Sequence, residues 1–76
     1  MSQAHNWTVA ENFPEFAKDF AQLCFRYDIN GIREYLVVAN IKGDATRMLF
    51  ASDNSEINKQ EAYEKWYEIE NLIYAT

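Results

Sequence analysis

The feature that most constrains this chain is residues 32–52, IREYLVVANIKGDATRMLFAS. Residues 35–41 are rich in β-branched and aromatic side chains and predict a strand. Gly43-Asp44 suits a two-residue hairpin loop with glycine first, since glycine reaches positive φ without steric cost. That turn sets a register in which Ile41 faces Thr46, Ala39 faces Met48, and Val37 faces Phe50. On the other face Asn40 pairs with Arg47, Val38 with Leu49, and Leu36 with Ala51. This second face is polar only near the turn, so the pattern predicts a cover on both sides of the hairpin. A competing reading makes the segment helical, because Ile32, Leu36 and Ala39 also fall at helical spacing and residues 46–51 can form a short helix after Asp44. Adjacent Val37 and Val38 favour the strand.

Helical patterns flank the hairpin. Asn12 reads as an N-cap with Glu15 three positions on and Pro14 in the first turn. Phe13, Phe16, Ala17, Phe20, Leu23, Cys24 and Tyr27 then recur at three- and four-residue steps, with Phe16 and Phe20 expected in the core. Asn30-Gly31 is a stop signal. After the hairpin, Asp53, Ser55 and Glu56 are capping candidates. A second helix follows to about residue 73, with Ala62, Trp66, Ile69 and Ile73 as its buried stripe and Tyr63, Tyr67, Glu70 and Tyr74 beside it. Glu61 and Lys65 stand at i,i+4 spacing and are expected to pair. The predicted fold class is therefore α+β: a small single domain of order helix-strand-strand-helix, an antiparallel hairpin with both helices packed on one face. Residues 1–10 form an N-terminal arm and residues 11–76 the domain.

Size and charge narrow the function classes. The chain has 76 residues, which predicts one thin-cored domain. Its 49% hydrophobic and 16% aromatic content is enough to fold without staples. One cysteine, Cys24, cannot make an internal disulfide and suits a reducing compartment or an indifferent one. No secretory signal or membrane-spanning run is present, so the expected location is the cytoplasm of a cell or of an infected host. The net charge of −5 disfavours direct binding to nucleic acid or to an anionic membrane, and it allows a basic protein partner. The negative excess falls on the two predicted helices.

No catalytic, cofactor or metal motif emerges. His5 and Cys24 are the only residues of their kinds and lie on different elements, so zinc spacing is impossible within the chain. Cys24 reads as an inert core thiol. Residues 53–56 (DNSE) lack the glycine and the distal glutamate of a calcium loop and read as a cap. Two glycines offer no phosphate cradle. No cofactor is expected.

The expectation is a non-enzymatic protein-binding module. Its sharpest version is an acidic inhibitor or decoy that imitates a line of phosphates in a partner's nucleic-acid-binding groove. By size and charge alone it compares with phage proteins that block restriction or CRISPR systems. Candidate contact residues are the carboxylates Glu61, Glu64 and Glu68 and the tyrosines Tyr63, Tyr67 and Tyr74, a residue type favoured in interfaces. The alternative is a self-assembling structural or accessory subunit with an aromatic surface. A homodimer through Leu36, Val38 and Leu49 is also expected, since a lone hairpin leaves an apolar face and open edges. Trp7 and Val9 of the arm are the competing cover for that face.

Overall fold

The computed structural model describes residues 7–14 and 18–75. Four strands, β1 (Thr8–Phe13), β2 (Phe20–Tyr27), β3 (Arg33–Ile41) and β4 (Asp44–Phe50), form one antiparallel sheet in the order β1-β2-β3-β4. One helix, α1 (Ser55–Ala75), follows and packs across one face. The expected helix-strand-strand-helix order is thus corrected to strand-strand-strand-strand-helix, with one helix instead of two.

The first predicted helix is where the reading failed. Residues 20–27 alternate: Ala21, Leu23 and Phe25 belong to the core packed against α1, and Gln22, Cys24 and Arg26 lie on the opposite face. The helical stripe left out Ala21 and Phe25 and put Leu23 and Cys24 on one side. Asn12, read as a cap, lies within β1 opposite Gln22. Thr8, Val9 and Ala10, assigned to the arm, belong to β1 as well. Glu15, Phe16 and Ala17 fall outside the described residues, as do residues 1–6. Phe20 opposes Asn40 on the face away from α1 and is half-buried.

The central hairpin is present, with a different turn. Lys42 and Gly43 form the loop, with φ of 52° and 87°, and Ile41 pairs with Asp44. Positive φ at both positions gives a turn whose twist matches that of the strands it joins. The Lys42 N–H donates to Asp19 Oδ1 at 3.0 Å, which holds the unusual lysine conformation from outside the hairpin. Leu36 now pairs with Leu49 and Val38 with Arg47, a two-residue displacement from the predicted register. Because the side-chain period is two, that displacement changes partners and keeps every residue on its predicted face.

The core lies between α1 and the sheet. Leu23, Val37, Ala21, Tyr35 and Ala39 from the strands meet Ala62, Trp66 and Ile69 from the helix. Alanines on β2 and β3 leave room for the indole, whose Nε1–H donates to Ala21 O at 3.1 Å. The helix begins at Asn54, whose Oδ1 accepts the N–H groups of Glu56 and Ile57 at 2.9 and 3.2 Å. The cap is therefore Asn54, and the expected caps Asp53, Ser55 and Glu56 are corrected. Ser55 Oγ accepts the Arg33 N–H at 2.9 Å instead, tying the helix start to β3.

Asn58 completes that tie. It is almost fully buried, and its amide donates to Arg33 O at 2.9 Å and to Ser52 O at 3.1 Å. Its Oδ1 accepts the Ser52 N–H at 2.7 Å and the Ser52 hydroxyl at 2.6 Å. One side chain thus joins the start of β3, the chain after β4 and the first turn of α1.

Candidate protein-binding surfaces

Helical geometry sets Tyr63 and Tyr74 on one flank of α1 and Glu61 and Glu68 on the other, with Glu64 and Tyr67 on the crest between them. Tyr63 and Tyr74 lie on the β1 side. The Tyr63 hydroxyl donates to Glu11 of β1 at 3.1 Å, and the Tyr74 ring packs 5.0 Å from that of Phe13. Tyr63 is half-buried and meets the rings of Tyr35, Trp66 and Tyr67 at centroid distances of 6.1–6.4 Å. It edges the core. Tyr67 and Tyr74 are 53% and 73% exposed and present the open aromatic surface. Burial and the bond to Glu11 push the Tyr63 hydroxyl above its usual pKa.

Glu61 and Glu68 lie on the β4 side, and Glu64 reaches the same groove from the crest. With Lys65 they overhang Met48 and Phe50 and bound an open groove of about 370 Å³. Lys65 Nζ donates to Glu68 Oε1 at 2.6 Å, so the expected Glu61–Lys65 pair is replaced by an i,i+3 pair. Glu61 and Glu64 have no cationic partner among the described residues. The sequence pointed to the acidic row; it did not point to Met48 and Phe50 as its floor, because their neighbourhood with α1 is tertiary.

The described carboxylates of the first predicted helix do not form a second line of negative charge. They sit on a strand and in loops and are engaged there: Glu11 by Tyr63, Asp19 by the Lys42 amide. Asp28 closes the β2–β3 loop by accepting the N–H groups of Asn30 and Ile32 at 2.8 and 2.9 Å. Among the described residues, the row of neighbouring carboxylates that remains is therefore the one on α1.

The sheet face away from α1 carries the residues expected at a dimer interface. Val9, Cys24, Leu36 and Leu49 are successive cross-strand partners and form one apolar row over all four strands. Its middle members Cys24 and Leu36 are buried, while Val9 and Leu49 at its ends are 52% and 50% exposed. Val38, half-buried, lies one pair away beside Gln22 and Arg47. Beyond the other side of the row, Arg26 pairs with Glu34 at 3.0 Å and its guanidinium stacks 4.3 Å from the Trp7 ring. Trp7 thus contacts this face, whereas Val9, expected to fold over the face with it, extends the sheet as part of β1. Burial raises the pKa of the Cys24 thiol, which disfavours its nucleophilic thiolate at neutral pH.

Among the described residues, no group of three or more His, Cys, Asp or Glu side chains is placed to hold a metal ion. No described helix is long and apolar enough to cross a membrane. No family model matches the chain, and no curated protein or solved structure is similar to it.

Proposed function

We propose that this protein is a non-enzymatic binding module that engages a basic surface of another protein through the acidic flank of α1. The observation that carries this reading is the row Glu61, Glu64 and Glu68, exposed on a well-anchored helix, whose one ion pair among the described residues is Lys65–Glu68. Axial steps of about 4.5 and 6 Å separate these carboxylates along the helix. A rigid row of charge suits recognition of clustered Lys and Arg better than charge scattered on loops, because less side-chain and backbone ordering is lost on binding. In its sharper form the module is an inhibitor or decoy that occupies a nucleic-acid-binding groove, as phage anti-restriction and anti-CRISPR proteins do, and it works in the cytoplasm of a cell or an infected host. The single row narrows what such a decoy can cover to one stretch of groove.

The test is affinity capture from a bacterial lysate with the wild-type chain and with the double variant Glu64→Lys, Glu68→Lys. Both positions are exposed, so stability should change by only about 0.5 kcal/mol per site. A partner that the wild type retains at low salt, releases at high salt and yields to competing nucleic acid supports the decoy. Equal capture by the charge-reversed variant excludes the acidic flank as the contact.

A second reading is self-assembly as a structural or accessory subunit. Half-exposed Val9 and Leu49, at the ends of the apolar row with Val38 alongside, favour a second copy stacked on the sheet face away from α1. Light scattering separates the readings: a dimer that Leu49→Glu converts to a monomer supports the second, and a monomer at micromolar concentration excludes it.

A further inference from the structure

We propose that β4 is a docking edge for an extended, basic segment of the partner, which joins the sheet as a fifth strand beneath the acidic flank of α1. This deepens the binding reading above and rests on it. Three independent features meet at this edge.

The first is the backbone. With Lys42-Gly43 as a two-residue loop, Ile41 and Asp44 form the closing hydrogen-bonded pair, and bonded pairs recur at Thr46, Met48 and Phe50. The N–H and C=O groups of Ala45, Arg47 and Leu49 therefore point away from β3. All three residues are exposed, and no described strand lies outside β4. The second feature is the lack of edge protection. β1, at the other margin, is interrupted by a bulge between Val9 and Glu11, whereas β4 pairs with β3 without a break and contains no proline. Bulges, prolines and charged side chains are the usual guards of a free edge; the one cation of β4, Arg47, pairs with Val38 on the face away from α1. The third is charge. Glu61, Glu64 and Glu68 overhang Met48 and Phe50 on the helix side of the same edge.

Charge chooses the occupant. Two copies joined β4 to β4 about a two-fold axis normal to the sheet would bring their acidic rows to face each other across the seam. A basic strand removes that repulsion. Side chains of an added strand that oppose Met48 and Phe50 lie on the helix side. There the stems of Lys or Arg cover the two apolar side chains while their charged heads reach the carboxylates. The intervening side chain opposes Leu49 on the other face and is apolar. The recognised segment thus alternates basic and apolar residues.

The test titrates labelled protein with a peptide alternating lysine and valine, and with a peptide of the same composition that segregates the two residue types into blocks. Both are followed by the amide signals of Ala45, Arg47 and Leu49. The alternating peptide should bind at least about ten-fold tighter than the block peptide. Its binding should protect the Ala45 and Leu49 amides from exchange and weaken between about 50 and 300 mM salt. Arg47→Pro removes one outward donor without touching the ladder to β3, and it should abolish the preference for alternation while thermal unfolding stays near that of wild type. If Arg47→Pro proves unfolded, loss of the same preference in Leu49→Pro, or with a peptide N-methylated on its bonding edge, serves as the same criterion. Equal binding of the two peptides, or no binding of either, overturns strand addition. Equal binding that Glu64→Lys with Glu68→Lys still abolishes would overturn strand addition alone and leave the acidic-flank reading standing.

Discussion

Asn58 is the residue on which the largest number of separate segments depends. All its amide bonding is internal, to Arg33 O, Ser52 O, the Ser52 N–H and the Ser52 hydroxyl. Asn58→Ala leaves these groups without their partner in a buried site, at about 1–3 kcal/mol for each group that water cannot reach. Urea unfolding should show a loss of at least about 2 kcal/mol, a large part of the stability of a small domain. Tyr63 gives a pH dependence. Burial first, and the hydrogen bond to Glu11 second, raise its pKa above 10.0 in the folded chain. The folded chain then holds the hydroxyl proton more tightly than the unfolded chain does. Its stabilisation is complete below pH 10 and is lost as pH rises through the raised value. Thermal melts of Tyr63→Phe across that alkaline range should fall less steeply than those of the wild type; parallel curves would assign the loss to other groups, with Cys24 the first to examine because burial raises it too.

At the scale of elements, α1 is started by a side chain and held by the sheet. Its first turn gains the Asn54 cap, its last turn carries no basic residue, and its buried side is short: Asn58, Ala62, Trp66 and Ile69. Asn54→Ala should cost about 1 kcal/mol, and Asp53→Ala close to nothing, because Asp53 does not cap. Equal losses at both positions, measured by chemical denaturation, would contradict this assignment. The strands have the opposite character. β2 and β3 lie inside the sheet with near-continuous burial, while β4 is exposed along most of its length. The edge that is least protected is also the one beside the acidic helix flank, so the feature that most threatens solubility and the feature proposed for binding coincide.

The whole molecule is two layers thick, with principal extents of 39 × 29 × 17 Å. There is one core, shared by all four strands and the helix, so a cavity in it should be felt globally. Leu23, fully buried opposite Val37, is its centre on β2. Leu23→Ala should cost about 2–5 kcal/mol, enough to lower the melting temperature of a domain this size by about 8 °C or more at roughly 4–8 °C per kcal/mol. A small change would mean that the sheet tolerates a gap there and that the layers are less tightly packed than their burial indicates. The other face of the sheet is covered by no second layer of described residues. Its apolar row is narrow, one residue pair wide, and polar pairs flank it. Cys24 and Leu36 in the middle of the row are buried, while Val9 and Leu49 at its ends are about half exposed.

The sequence by itself determined those features that depend on neighbours along the chain. The long C-terminal helix, its stripe of Ala62, Trp66 and Ile69, the strand pair in the middle, and the face on which each hairpin residue lies were all legible from periodicity. The face assignment survived a wrong turn because a register displaced by two keeps side-chain direction. Residues 20–27 were not legible. Their apolar residues fit a period of 3.6 when Phe20, Leu23, Cys24 and Tyr27 are chosen and a period of two when Ala21, Leu23 and Phe25 are chosen. Only pairing with β1 on one side and β3 on the other favours the second. The candidate site divides in the same way. That Glu61, Glu64 and Glu68 form one row on the helix follows from their spacing, since a helix fixes the angle between successive residues. That this row overhangs Met48 and Phe50 at an open edge, and that Glu11, Asp19 and Asp28 are engaged elsewhere, follows from contacts across the chain. No local pattern specifies those contacts, because they exist only once the helix has docked on the sheet.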